Sequence, residues 1–254
     1  MNTSMRKLDL ELTLITARIY KYLKIKSGIS IDILNHNFSK TDMLFLPQLI
    51  LLAAQGPKGI SNKIRTLAVI SQIMYLSTEI HNQIPENENN LFKEKVQLPI
   101  LVGDFLYSRF YEILCIEDCY EYLDDFVNYI SKLNLDWINY TNNKLTQEEL
   151  CASWYGELGR LTGELASSTS GFNSYWIKSI KGYGFSMGCI FGAGKMGLNP
   201  KTVNNYWNNL QEDINLIPPG DLKDSFSLYA HNVYKNLFNC QIQENIRYSA
   251  AAEI

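Results

Sequence analysis

Apolar residues in this chain return at three- and four-residue intervals along nearly every long segment, and that spacing constrains the fold more than any other feature. Leu8, Leu12, Ile15, Ile19 and Leu23 form one such stripe, and Leu67, Ile70, Ile73 or Met74, and Ser77 form a second. Residues three and four apart share one face of a helix, whereas a strand alternates at every second residue. Strand-like alternation is scarce, so the periodicity predicts an all-α chain. Turn and cap residues place breaks at 28–40, 56–61, 85–90, 139–144, 192–200 and 218–220, which leaves about seven to nine helices. Thr146, followed three residues later by Glu149, reads as the capping box that opens one of them.

The 254 residues are enough to bury a substantial core, and the simplest division is a single all-α domain over 1–254. A hydrophobic share of 46%, a charged share of 19% and a net charge of −3 describe a globular chain without the basic field that nucleic acid requires. The longest apolar run, 43–54, carries Pro47 and Gln48 and falls short of the roughly 20 residues that span a bilayer. No signal-peptide core opens the chain, so the expected location is the cytoplasm, with contact at a membrane surface left open. Cys115, Cys119, Cys151, Cys189 and Cys240 are scattered without paired CxxC knuckles. Neither a disulfide framework nor a zinc site is expected, and Cys115 and Cys119, read as sharing a helix face, are assigned to packing.

Two segments carry a family pattern. Tyr75-Leu-Ser-Thr-Glu-Ile-His-Asn-Gln-Ile-Pro85-Glu86 is followed by Leu98-Pro-Ile-Leu-Val-Gly103-Asp104-Phe-Leu-Tyr-Ser-Arg-Phe-Tyr111. Together they resemble the central helices of the trans-polyprenyl diphosphate synthases, and the likeness extends unevenly over residues 40 to 200. It implies an all-α, isoprenoid-synthase-like helical bundle. In active members the first segment reads Leu-Ile-His-Asp-Asp-x-x-Asp, and its acids hold magnesium against an allylic diphosphate. Here those positions are Asn82, Gln83 and Glu86, and Pro85 is expected to end or kink the helix that carries them. No Arg-Arg pair follows; only Lys93 and Lys95 stand in that stretch. The family's Gly-Lys-x-x-Arg-Pro segment survives as Met43-Leu-Phe-Leu-Pro47, a proline before an apolar helix with the basic residues gone. The late Gly-x-x-Phe segment matches through Phe191 and then sets Lys195, Met196 and Asn199 where the second group of acids belongs. Amides neutralise a divalent ion far less well than carboxylates, and a lysine repels it.

The resemblance therefore implies a chain with no catalytic residues and no metal of its own. The closest pattern is the non-catalytic small component of heteromeric hexaprenyl or heptaprenyl diphosphate synthases, which serve quinone side-chain synthesis. Its implied partner is an aspartate-rich catalytic large subunit that brings the magnesium, with the prenyl chain in a shared cavity. Ser77 and Thr78, just upstream of the first group, stand where the family governs product length; ordinary helix packing explains them equally well. His81 reads as inherited packing, and Gly103-Asp104 as a packing and capping feature.

Other readings compete. A stand-alone synthase would have to act through Glu79, Glu86 and Glu88. Gly192-Ala-Gly-Lys-Met-Gly197 satisfies the Gly-x-Gly-x-x-Gly pattern of dinucleotide-binding oxidoreductases, but that fingerprint needs a strand before it and a second strand with an acid about 20 residues on. Pro200 and the polar stretch after it argue instead for a helix end. Asp124-Asp125 lies out of register with either acid group and reads as a solvated helix face. The aromatics Tyr107, Phe110, Tyr111, Tyr120 and Tyr122 suit either a subunit interface or the core.

Overall fold

Helix boundaries fall where capping side chains put them. The computed structural model describes the backbone of residues 3–24, 38–83 and 93–251, and side chains over 8–24, 38–83 and 97–238. Four helices come first: α1 Thr3–Leu23, α2 Lys40–Ala53, α3 Asn62–His81 and α4 Lys93–Ile116. A short 3-10 turn, Tyr120–Tyr122, leads into α5 Leu123–Thr141. Next come α6 Gln147–Cys151, a π turn Ala152–Gly156, α7 Glu157–Thr169, α8 Ser174–Met196, α9 Pro200–Leu216 and α10 Asp221–Ala251. No strand occurs among the described residues, as the periodicity predicts. The helices group into two compact units: residues 1–54 with 59–123, and residues 55–58 with 124–254.

The first unit is organised around α3. Every side chain from Thr66 to Thr78 is buried, the mark of a helix surrounded by others rather than lying on a surface. Ser61 caps its start, with its side chain accepting from the Ile64 amide. The preceding helix, α2, opens with a capping box in which Asp42 accepts from both the amide and the hydroxyl of Ser39 at 2.8 and 2.7 Å. The same carboxylate is buried and receives the Tyr75 hydroxyl at 3.2 Å, while Gln72 donates to the Asp42 carbonyl at 3.0 Å. One residue thus caps α2 and ties it to α3. Pro47 lies inside α2 and not ahead of it; the helix continues through the missing donor because the apolar run 49–54 after it is buried. Charge holds α1 in place, through a two-pronged Arg65–Glu11 pair at 2.6 and 2.7 Å. Glu117 adds bonds from Arg18 at 2.7 Å, Asn62 at 3.1 Å and Tyr22 at 3.2 Å.

In the second unit α7 and α8 meet backbone to backbone. A β-carbon on Gly159 would stand 2.1 Å from the Gly184 carbonyl oxygen, and one on Gly188 would stand 2.0 Å from that of Tyr155. The π turn just before α7 contains one residue more than an α-helical turn would hold, and Tyr129 of α5 donates to the Trp154 carbonyl at 2.8 Å. Thr146 and Glu149 form the expected capping box on α6. Asp213 of α9 reaches α8, where Ser186 donates to it at 2.7 Å, and a β-carbon on Gly182 would lie 2.6 Å from its other oxygen. Cys119, Cys151 and Cys189 are buried and Cys115 is exposed. Because α4 stops at Ile116, Cys115 and Cys119 do not share a helix face, contrary to the sequence reading.

Substitutions at two glycines test this packing. Gly159→Ala forces apart a contact that has no flexible side chain to yield, and is expected to lower unfolding stability by about 3 kcal/mol in chemical denaturation. Gly197→Ala meets nothing within 4 Å at φ +64°, and should cost only about 1 kcal/mol for its left-handed backbone. Burial, helped by the neighbouring Glu212 charge, raises the Asp213 carboxyl above its ordinary value against the pull of Ser186. A raised carboxyl disfavours the charged folded form at neutral pH, and that cost fades as pH falls through the raised value towards the unfolded one. Asp213→Asn should therefore raise the thermal midpoint at pH 7, with the gain shrinking as the pH is lowered towards about 4.

Candidate functional site

The positions where the family resemblance expects metal-binding acids are helix ends in this chain. Asn82 is the C-cap of α3; its amide donates to the Thr78 carbonyl at 3.1 Å and its side chain is exposed. Gln83 comes next in the turn, with its amide on the Ile80 carbonyl at 3.1 Å. Glu86, Pro85 and Glu88 lie outside the described residues, as do the side chains of Lys93, Lys95 and Cys240. Helix α3 ends at His81, before the proline is reached.

The second set closes α8 and opens α9. Lys195 is exposed in the last turn of α8, Met196 is half-buried and its carbonyl accepts from Gln147 at 3.0 Å. Asn199 is the N-cap of α9, taking the Thr202 amide at 3.0 Å while donating to Glu148 at 3.1 Å. Gly197, in the left-handed conformation, ends α8. Gly192 lies within α8, where a β-carbon would stand 2.3 Å from the Tyr155 ring, so the dinucleotide-like pattern is a helix interior followed by a glycine stop. The break expected over 192–200 shortens to 197–199. With a helix where a strand is required, the oxidoreductase reading is overturned.

The functional groups beside the first set form a lock between α3 and α4. Ser77, fully buried, donates to the Gly103 carbonyl at 2.8 Å. The His81 ring lies over Gly103, where a β-carbon would be 2.3 Å from its Nε2 atom. That nitrogen is 3.2 Å from Asp104, and the ring stacks on Tyr107 with centroids 5.4 Å apart. Thr78 donates to the Met74 carbonyl at 3.0 Å. Burial raises the Tyr107 phenol against the pull of the nearby Thr78 hydroxyl. Gly103 and Asp104 are thus packing residues in mid-helix; the capping role assigned to them from sequence is not theirs. Phe110 and Tyr122 belong to the core, whereas Tyr111 and Tyr120 face outward.

A separate cleft of about 400 Å³ runs between α5 and α7, lined by Asp125, Tyr129, Lys132, Arg160, Glu164 and neighbours. On its α7 wall Arg160 binds Glu157 at 2.6 Å and Glu164 at 3.1 Å, and Lys181 of α8 joins Glu164 at 2.8 Å. Asp124 and Asp125 are exposed, in keeping with a solvated face. Among the described residues no three His, Cys, Asp or Glu side chains are placed to share a metal ion. The described groups at the two sets, amides, a thioether and an ammonium, do not fit magnesium, which demands several hard anionic oxygens. Sequence reasoning missed Asp42, although a serine with an acid three residues on, Ser39 and Asp42, is a capping-box signature; the Arg18–Glu117 pair has no local signal at all.

Comparison with known proteins gives the fold. No protein-family model and no curated protein matches the sequence. Solved structures do. A geranylgeranyl pyrophosphate synthase from Corynebacterium glutamicum, complexed with calcium and isoprenyl diphosphate, superposes with a TM-score of 0.72 at 14% identity, covering 93% of this chain and 98% of that one. Heptaprenyl diphosphate synthase from Staphylococcus aureus gives 0.57 at 14%, over 97% and 91%. A deletion mutant of the heterotetrameric geranyl pyrophosphate synthase of mint gives 0.58 at 14%, over 86% and 98%. The chain has the helical-bundle fold of the prenyl diphosphate synthases, and no described helix is long and apolar enough to cross a membrane.

Asn82 offers a direct test of the helix-end chemistry. Asn82→Asp puts a negative charge on the negative end of the α3 dipole, and is expected to lower stability by about 0.5 kcal/mol at low ionic strength. Added salt should erase most of the loss in parallel denaturation curves.

Proposed function

We propose that this chain is the non-catalytic small subunit of a heteromeric long-chain polyprenyl diphosphate synthase, of the hexaprenyl or heptaprenyl class, working in the cytoplasm on quinone side chains. One observation carries the reading. The fold is that of the synthases, yet both groups of acid positions hold residues suited to ending or starting helices: an exposed amide C-cap, a last-turn lysine and an amide N-cap. The catalytic large subunit supplies the magnesium and the chemistry, while this chain helps enclose the growing prenyl tail. The heterotetrameric assembly of the mint synthase and the heptaprenyl synthase of similar fold support the assignment.

Within that role Thr78 is the better of the two product-length positions. The Ser77 hydroxyl is spent on the α3–α4 lock, so replacing it disturbs packing before it disturbs a cavity. The decisive experiment pairs the purified chain with the aspartate-rich synthase encoded in the same genome and supplies farnesyl and isopentenyl diphosphates with magnesium. The chain alone should give no elongation. The pair should co-purify and make longer products than the large subunit by itself, and Thr78→Phe in the pair should shorten them. Turnover by the lone chain, or a partner whose activity and products ignore it, refutes the proposal.

A further inference from the structure

Helix α1 spends its paired charges on its neighbours and leaves a different set facing water. Glu11 is buried against Arg65, and Arg18 is paired with Glu117. Ile15, Ile19 and Leu23 enter the core. On the outer side Leu10 is 62% exposed and Leu14 47%. Thr13 and Ala17 are exposed beside them. The Thr13 hydroxyl donates to the Asp9 carbonyl of its own helix at 2.8 Å, so with its polar group turned to the backbone it adds a methyl to the strip. Successive residues turn by about 100° around a helix axis, which brings positions 10, 13, 14, 17, 21 and 24 onto one face.

The charges on that face say what it suits. Among the described residues the ion pairs of α1 are those of Glu11 and Arg18. Lys21 and Lys24 are exposed at the end of the strip without an acid, Lys21 lying 5.9 Å from the centre of the Tyr22 ring. In the sequence Arg6 and Lys7 occupy the turn before Leu10, so cations flank the apolar positions on both sides. Asp9, the one exposed acid of α1 among the described residues, is about a quarter-turn from Leu10. Two leucines, an alanine and a methyl make too shallow a strip for a stable protein interface, which buries about 800 Å² on each side. An anionic bilayer asks for less. Short apolar side chains enter the headgroup boundary, and lysine stems lie along it while their ammonium groups meet lipid phosphates. Tyr20, exposed at the margin, is an aromatic of the kind that settles at headgroup depth.

We propose that the Leu10–Lys24 face of α1 docks the chain reversibly on an anionic lipid surface. The proposal stands on α1 alone and holds whether or not the chain is a synthase subunit. The test floats the purified full chain with vesicles of phosphatidylcholine, alone or mixed with phosphatidylglycerol. The chain should rise with the mixed vesicles, stay behind with phosphatidylcholine alone, and come off as salt is raised. Reversing both lysines, Lys21→Glu with Lys24→Glu, should weaken binding at least roughly tenfold. Leu10→Gln with Leu14→Gln should weaken it comparably, because the apolar strip then no longer enters the boundary. All four positions are exposed, so both double variants should unfold at the wild-type denaturant midpoint. Absence of wild-type binding, equal binding to the uncharged vesicles, or binding that either double variant leaves intact overturns the proposal. A lipid-free dimer that Leu10→Gln with Leu14→Gln dissolves assigns the face to a second copy of the chain and overturns it too.

Discussion

Among the described residues α8 lies against α7 and the π turn before it with no side chain between, at Gly159 and at Gly188, where peptide groups come into direct contact. Nothing softer than backbone fills the gap, so the two helices have one register and no freedom to slide. That register fixes which side chains α8 sends elsewhere: Tyr183 into the core with its hydroxyl on the Phe226 carbonyl, Ser186 onto Asp213 of α9, and Cys189 beside the π turn. The π turn belongs to the same arrangement. Its extra residue rotates α7 by about a quarter-turn, and α7 then presents Gly159 and Gly163 to α8. Tyr129 keeps a carbonyl of the turn satisfied, at 2.8 Å, in a place water does not reach.

The first unit solves the same problem of helix contact with polar groups. Ser77 and Gly103 bring α3 and α4 together through a hydroxyl and a carbonyl, and the absence of a side chain at Gly103 makes room for His81. Asp104 and Tyr107 then hold the imidazole from its edge and its face. Around this contact α3 is enclosed on all sides, and α1 is clasped from outside by Arg65–Glu11 and Arg18–Glu117. The Arg18 pair joins residues 99 positions apart in sequence, so it is a tertiary bond that local propensity neither requires nor reveals.

What could be read from the sequence divides along that line. Helical period, the Thr146 capping box, the stops near 56–61 and 218–220, and the solvated Asp124-Asp125 face are local, and local physics produced them. Pro47 misled because proline ordinarily stands at or before a helix start; inside α2 it costs one hydrogen bond, on the order of 3 kcal/mol, and the burial of the helix around it offsets that loss. The Gly192–Gly197 pattern misled for a different reason. Phosphate loops and tight helix packing both demand glycine where backbone must approach, and only the identity of what approaches, a pyrophosphate or the Tyr155 ring, separates them. The mid-helix place of Gly103-Asp104 was equally hidden, since glycine inside a helix costs about 1 kcal/mol unless packing offsets it.

The ends of α3 and α8 explain why such a chain is stable as it stands. In a metal-binding synthase, acids crowded at the C-terminus of a helix repel one another and the negative end of its dipole, a strain of about 0.3–1 kcal/mol for each charge that only the bound cation relieves. Here Asn82 is neutral at the end of α3, and Lys195 places a positive charge in the last turn of α8, where the dipole favours it. Asn199 caps α9 and bonds Glu148 in the same stroke. Each of the three residues suits the helix end it occupies.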